Sequence, residues 1–192
     1  MITKDKLRMW WQDRVGVHGW LYDEEKMFLL ALGAQAYVGI VEIGSWKGLS
    51  TIQLARGAKV PVYSIDPHKD TTLHKQLGVK DTFSIFSKNI SKAGLVDKIH
   101  PLRMSSLEAA KKYPTLEFDV LFVDGDHDYE PTLEYYDSWA TKVPVSGIIA
   151  FHDAFNDKVP GVHKVWEEKI NLPKWKRLET VRTIGVARRL IG

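Results

Sequence analysis

The chain alternates between short apolar runs and stretches in which apolar residues return every three or four positions. Strand-like runs interleaved with helical ones are the pattern of a parallel sheet with helices on both faces, because each parallel strand needs a crossover to reach the next. Tyr37–Ile43 (YVGIVEI) is such a run and stops at Gly44; Thr51–Arg56 then reads as a helix. Val60–Ile65 is a second strand. Asp81–Ala93 carries Phe83, Phe86 and Ile90 at helical spacing. Lys98–Leu102 is a short third strand, and Phe118–Val123 (FDVLFV) a fully buried fourth. Pro131–Trp139 reads as a helix with its proline in the first turn, where a missing N–H does no harm. Gly147–Phe151 is a fifth strand and Val162–Ile170 a helix. Trp175–Thr180 and Ile184–Arg189 form an expected antiparallel pair that closes the sheet. Residues 1–36 give no strand signal and read as a helical preface to a single domain over 1–192.

Composition narrows the setting. A chain of 192 residues suits one sizeable core. It has no cysteine, so disulfides and thiolate zinc sites are excluded and a reducing cytoplasm is the expected compartment. Met1–Trp10 is charged and has no apolar core of a signal peptide, and no apolar run approaches bilayer length. The net charge of +3 is mild and dispersed over Lys69, Lys75, Lys80, Lys88 and Lys92 with acidic residues between them. Arg177, Arg182, Arg188 and Arg189 alternate along the closing strands. This scatter argues against a nucleic-acid partner.

Open α/β sheets bind ligands outside the carboxyl ends of their strands. The residues following each strand are therefore the candidates. After the first come Glu42, Gly44, Ser45, Trp46, Gly48 and Ser50; after the second, Asp66, Pro67 and His68; after the third, Met104, Ser105 and Ser106. The fourth is followed by Asp124, Gly125, Asp126 and His127, and the fifth by His152 and Asp153. So many titratable side chains at strand ends stabilise a sheet poorly and build a polar site well.

The loop Glu42–Gly48 spaces its glycines G-x-x-x-G, lacks the third glycine of a dinucleotide fingerprint and carries a bulky Trp46. It suits a ligand without a pyrophosphate, such as S-adenosylmethionine; it would also serve as a plain strand-to-helix turn. Asp66, about 20 residues on, is placed to accept ribose hydroxyls or to make an Asp-Pro turn. Ser105 and Ser106 reach either an adenine edge or the start of a helix at Leu107.

The segments VEIGSWKGLSTIQLA, VYSIDPH, FDVLFVDGDHDYE and GIIAFHDAF resemble, in order and spacing, the small class I S-adenosylmethionine-dependent O-methyltransferases. The nearest pattern is that of the macrocin and mycinamicin O-methyltransferases, with catechol O-methyltransferase more distant. The resemblance implies a Rossmann-like, mostly parallel sheet of order 3-2-1-4-5-7-6. It implies S-adenosylmethionine held by Glu42, Gly44, Ser45, Trp46, Ser50, Asp66, Ser105, Ser106 and Asp124. It further implies a divalent metal, magnesium or manganese, on Asp124 and Asp153, with His127 as general base. At position 152 a histidine stands where the family has an acidic ligand, which weakens magnesium and leaves three readings: manganese or another transition ion, a ligand replaced by water, or no metal. His127 would otherwise tie down its loop, and His152 would be a satisfied strand-end histidine.

Val17–Leu21 also resembles the segment before the core in this family, which makes Trp20 a candidate substrate cap, whereas Trp10 and Trp11 read as helix packing. The expected reaction is methylation of a small hydroxylated sugar or phenol. An NAD(P)-dependent oxidoreductase and a non-catalytic module binding S-adenosylmethionine or a nucleoside are the alternatives, and the preface aromatics allow a homodimer.

Overall fold

The computed structural model describes residues 16–69 and 81–192, so Trp10 and Trp11 lie outside it. The elements run α1 (Asp23–Gln35), β1 (Ile40–Ile43), α2 (Leu49–Gly57), β2 (Val62–Ile65), α3 (Phe83–Lys92), β3 (Ile99–Leu102), α4 (Ser106–Lys112), β4 (Val120–Val123), α5 (Tyr129–Trp139), β5 (Ile148–Phe151), α6 (Pro160–Lys169), β6 (Trp175–Arg177) and β7 (Gly185–Arg189), with a 3₁₀ turn Ala140–Lys142 after α5. The seven strands lie in the order β3-β2-β1-β4-β5-β7-β6. β1 to β5 pair in parallel, and β7 is antiparallel to both β5 and β6.

The expected strands are all present and shorter than the apolar runs that announced them. β1 starts at Ile40 because Asp119 takes the preceding amides: its carboxylate accepts the N–H groups of Tyr37, Val38 and Gly39 at 2.9–3.3 Å. That buried carboxylate ties the entry of β1 to the entry of β4.

Alternate residues of the central strands feed two cores. Val41, Ile43, Leu121, Val123, Ile149 and Phe151 face Trp139 and Trp166 on α5 and α6. Ile40, Val120, Phe122 and Ala150 face Leu29, Leu32, Ile52, Leu54 and Phe86 on α1, α2 and α3. β1, β4 and β5 are buried along their whole length, as strands covered on both faces must be.

α1 is held unusually close to α2. A Cβ on Gly33 would stand 2.1 Å from the Leu54 carbonyl oxygen, and one on Gly57 would stand 1.9 Å from that of Leu30. Only glycine permits this backbone contact. It seats the amino end of α1 over the carboxyl end of β5. Among the described residues, no helix is long and apolar enough to cross a membrane.

Candidate active site

The loop after β1 turns through left-handed backbone at Gly44 (φ 86°), Trp46 (φ 42°) and Gly48 (φ 89°). A Cβ on Gly44 would meet the Asp124 carbonyl oxygen at 2.1 Å, so a glycine is required where the ends of β1 and β4 meet. The loop is gripped from β2: Asp66 accepts the N–H groups of Ser45 and Trp46 at 3.0 and 2.7 Å, and that of His68 at 2.6 Å. Asp66 thus stands at the carboxyl end of β2 and clamps the loop.

Glu42 lies beneath this loop, fully buried. Thr51 donates its hydroxyl to one carboxylate oxygen at 2.5 Å, and the other oxygen, Oε1, is buried without a partner. Burial pushes its carboxyl up to about 8; the Ser50 and Thr51 hydroxyls oppose the rise, and the nearby charges of Asp124 and Asp66 add to it. Ser45 Oγ and Trp46 Nε1 are also buried without partners. A cradle of orphaned acceptors and donors around a tight glycine fits a zwitterionic, cationic ligand head.

The two serines after β3 divide. Ser105 caps α4, its Oγ accepting the Glu108 N–H at 3.3 Å and donating to Glu108 Oε2 at 2.8 Å, so its hydroxyl is engaged locally. Ser106 Oγ is buried and unpartnered.

The ends of β4 and β5 bring Asp124, His127, His152 and Asp153 together. His152 Nδ1 lies 2.9 Å from Asp124 Oδ1 and 3.3 Å from Asp153 Oδ2. His127 Nε2 lies 3.3 Å from Asp153 Oδ2 and 3.7 Å from Asp124 Oδ1. None of these ring nitrogens has a well-aligned hydrogen bond despite such near neighbours. Asp124, His127 and His152 offer three ligand atoms all within 4.8 Å of one another. Neighbouring ligands on one ion with bonds of ~2.1 Å stand about 3.0–3.5 Å apart, close to the spacing of His152 Nδ1 from Asp124 and Asp153, so the donor types and these distances suit a divalent cation on those three side chains. An imidazole beside carboxylates suits manganese, iron, nickel or zinc better than magnesium.

Electrostatics follow from the same geometry. Burial works against the charge on Asp124, but His152 and His127 outweigh it and hold the carboxyl down to about 2. Burial likewise opposes protonation of His152, yet Asp124, Asp153 and Glu25 together hold it far above the usual histidine range. His127 is raised in the same way, burial being outweighed by Asp124 and Asp153. The two histidines differ in access: the His127 side chain is 37% exposed and that of His152 is 6%.

Glu25, on α1, is a member of this cluster that strand-end reasoning passed over. It is fully buried, and its Oε2 lies 3.4 Å from His152 Nε2. An acidic residue in the first turn of a helix usually reads as a cap, and nothing in its sequence setting separates it from Asp23 and Glu24. At the mouth, Trp20 stacks on Trp46 with ring centroids 4.5 Å apart, and Arg182 lies 4.3 Å over the Tyr22 ring. A cavity of about 230 Å³ opens between Tyr22, Arg182 and Thr183. A larger one, about 390 Å³ beside Val38, Tyr63 and Tyr113, lies at the amino ends of the strands, away from all of these groups.

A family model described as a methyltransferase domain matches residues 41–154. No curated protein sequence matches the chain significantly. Among solved structures, cofactor-bound Rv0187 from MTB is similar at 17% identity and a TM-score of 0.72, over 94% of this chain and 86% of that one. The O-methyltransferase from Bacillus cereus in complex with SAH is similar at 21% identity and a TM-score of 0.66, over 95% and 88%. The O-methyltransferase TomG from Streptomyces achromogenes, in complex with SAM, is similar at 18% identity and a TM-score of 0.67, over 89% and 82%. At these identities the likeness is one of fold.

Proposed function

The chain belongs to the methyltransferase domain family, and from that premise we propose that it methylates a hydroxyl group of a small molecule, a sugar or a phenol, with S-adenosylmethionine as donor. The observation that carries this reading is the His127 ring, whose buried Nε2 lies between the Asp124 and Asp153 carboxylates at 3.7 and 3.3 Å while the side chain as a whole is 37% exposed.

The orphaned Glu42 Oε1, the Gly44 turn and Asp66 would hold the donor. When bound, S-adenosylmethionine supplies the methyl group and keeps the electron pair of the broken sulfur–carbon bond. His127, the more exposed imidazole of the pair, would take the proton of the acceptor hydroxyl as the methyl is transferred. Asp124 and Asp153 orient the ring and stabilise the imidazolium that results. Trp20, stacked on Trp46, would cover the acceptor and keep the two reactants aligned, which is most of what in-line transfer asks of a protein.

Asp124, His152 and Asp153 would hold a divalent ion, which would lower the pKa of the acceptor hydroxyl. His127 could be a ligand or a base but not both through one nitrogen; its exposure favours the base.

The test is incubation with S-adenosylmethionine and a panel of hydroxylated sugars and phenols, with mass-spectrometric detection of S-adenosylhomocysteine and of an acceptor heavier by one methyl. Failure to bind S-adenosylmethionine, or binding of NAD in its place, overturns the reading.

A further inference from the structure

One carboxylate of the cluster comes from none of the strand ends. Glu25 Oε1 accepts the N–H and O–H of Thr183 at 3.0 and 2.7 Å. Its Oε2 accepts the Tyr22 N–H at 2.9 Å and faces His152 Nε2 at 3.4 Å. The opposite ring nitrogen, Nδ1, faces Asp124 and Asp153. We propose that Glu25 is a positioning residue that holds the Nε2–H side of His152, so that Nδ1 presents its lone pair to a divalent cation shared with Asp124. The proposal rests on the metal-assisted reading above.

A fully buried carboxylate is tolerated only when it is well bonded, and Glu25 accepts three hydrogen bonds, from Tyr22 and Thr183. Those donors fix its position, and its negative charge 3.4 Å from Nε2 favours the tautomer that carries the proton there, the role of carboxylates behind metal-bound histidines. Its supports are rigid. α1 is locked to α2 by the backbone contacts at Gly33 and Gly57. Thr183 sits in the two-residue turn closed by Val181 and Ile184, which hydrogen-bond each other at 2.9 and 3.1 Å. Both supports lie outside residues 41–154, the part matched by the family model. The cation site therefore depends on segments flanking the methyltransferase core.

The experiment is Mn²⁺ titration followed by electron paramagnetic resonance, with S-adenosylhomocysteine affinity measured in parallel. Glu25→Gln should weaken Mn²⁺ binding by about 10–100-fold while S-adenosylhomocysteine binds within about twofold of wild type. Mn²⁺ affinity unchanged in Glu25→Gln, with wild type binding normally, overturns the proposal. If Glu25→Gln loses S-adenosylhomocysteine as well, Thr183→Val decides, since it loosens Glu25 without touching His152 or the aspartates. It should weaken Mn²⁺ several-fold at constant S-adenosylhomocysteine affinity, and an unchanged Mn²⁺ affinity overturns the proposal. Wild type that binds no Mn²⁺ overturns the metal reading itself, and the proposal with it.

Discussion

The Asp66 carboxylate accepts the backbone N–H of Trp46 at 2.7 Å, which places the shape of the loop after β1 under the control of the end of β2. The same carboxylate takes the amides of Ser45 and His68. Asp66→Ala should leave these donors without an acceptor and lower stability by at least about 2 kcal/mol. Donor affinity should fall with it, as the loop loses its shape. Urea unfolding and calorimetry with S-adenosylmethionine measure the two effects; an unchanged donor affinity removes Asp66 from the site.

Glu42 should make stability depend on pH. Its folded carboxyl is raised by burial from 4.5 to about 8, so the folded chain keeps a proton that the unfolded chain gives up. The favourable contribution is whole below pH 4.5, declines as pH rises toward 8 and is lost above it, a change of up to roughly 5 kcal/mol. Glu42→Gln should flatten that part of the profile. Denaturation of both proteins from pH 5 to 9 checks this, and parallel profiles would mean that Glu42 is ionised when folded.

His127→Ala should slow methyl transfer by about 10²–10⁴-fold with donor affinity nearly unchanged. His127→Gln should be almost as slow, because it keeps a hydrogen bond but cannot take the proton. Asp124 and Asp153 outweigh burial and raise the His127 pKa, and an ion bound to those carboxylates would lower it again, so the pH at which the transfer rate climbs should move down as the divalent ion is added. Single-turnover rates near wild type in either variant remove His127 as the base.

Chelation should abolish activity, and Mn²⁺ should restore it at least as well as Mg²⁺, given the nitrogen of His152 beside Asp124. The measurement is turnover after dialysis against a chelator and readdition of each ion. Activity indifferent to the chelator would leave the His152 imidazolium as the cation that neutralises Asp124 and Asp153. A clear preference for Mg²⁺ would take His152 out of the ligand set.

Much of this protein is written locally. The apolar runs ending at Ile43, Ile65, Val123 and Phe151 stop where their strands stop, because a strand covered on both faces is mostly apolar, Glu42 within β1 being the buried exception. With the rule that ligands gather at carboxyl ends, this was enough to single out Glu42, Asp66, Asp124, His127, His152 and Asp153. Gly44 was legible for the same reason: a bulky side chain cannot pass where two strand ends touch.

Tertiary structure alone decided how those groups are used. That Asp66 grips the glycine loop, that Ser105 caps its own helix, and that His127 is open while His152 is enclosed depend on distances between segments, which no local pattern encodes. Glu25 is the clearest case. In sequence it is one of three acidic residues opening α1, together with Asp23 and Glu24, and any of them could serve a helix dipole. The glycine contact between α1 and α2 sets the rotation of the helix, and that rotation buries Glu25 against His152 and Thr183 while leaving Asp23 and Glu24 in water.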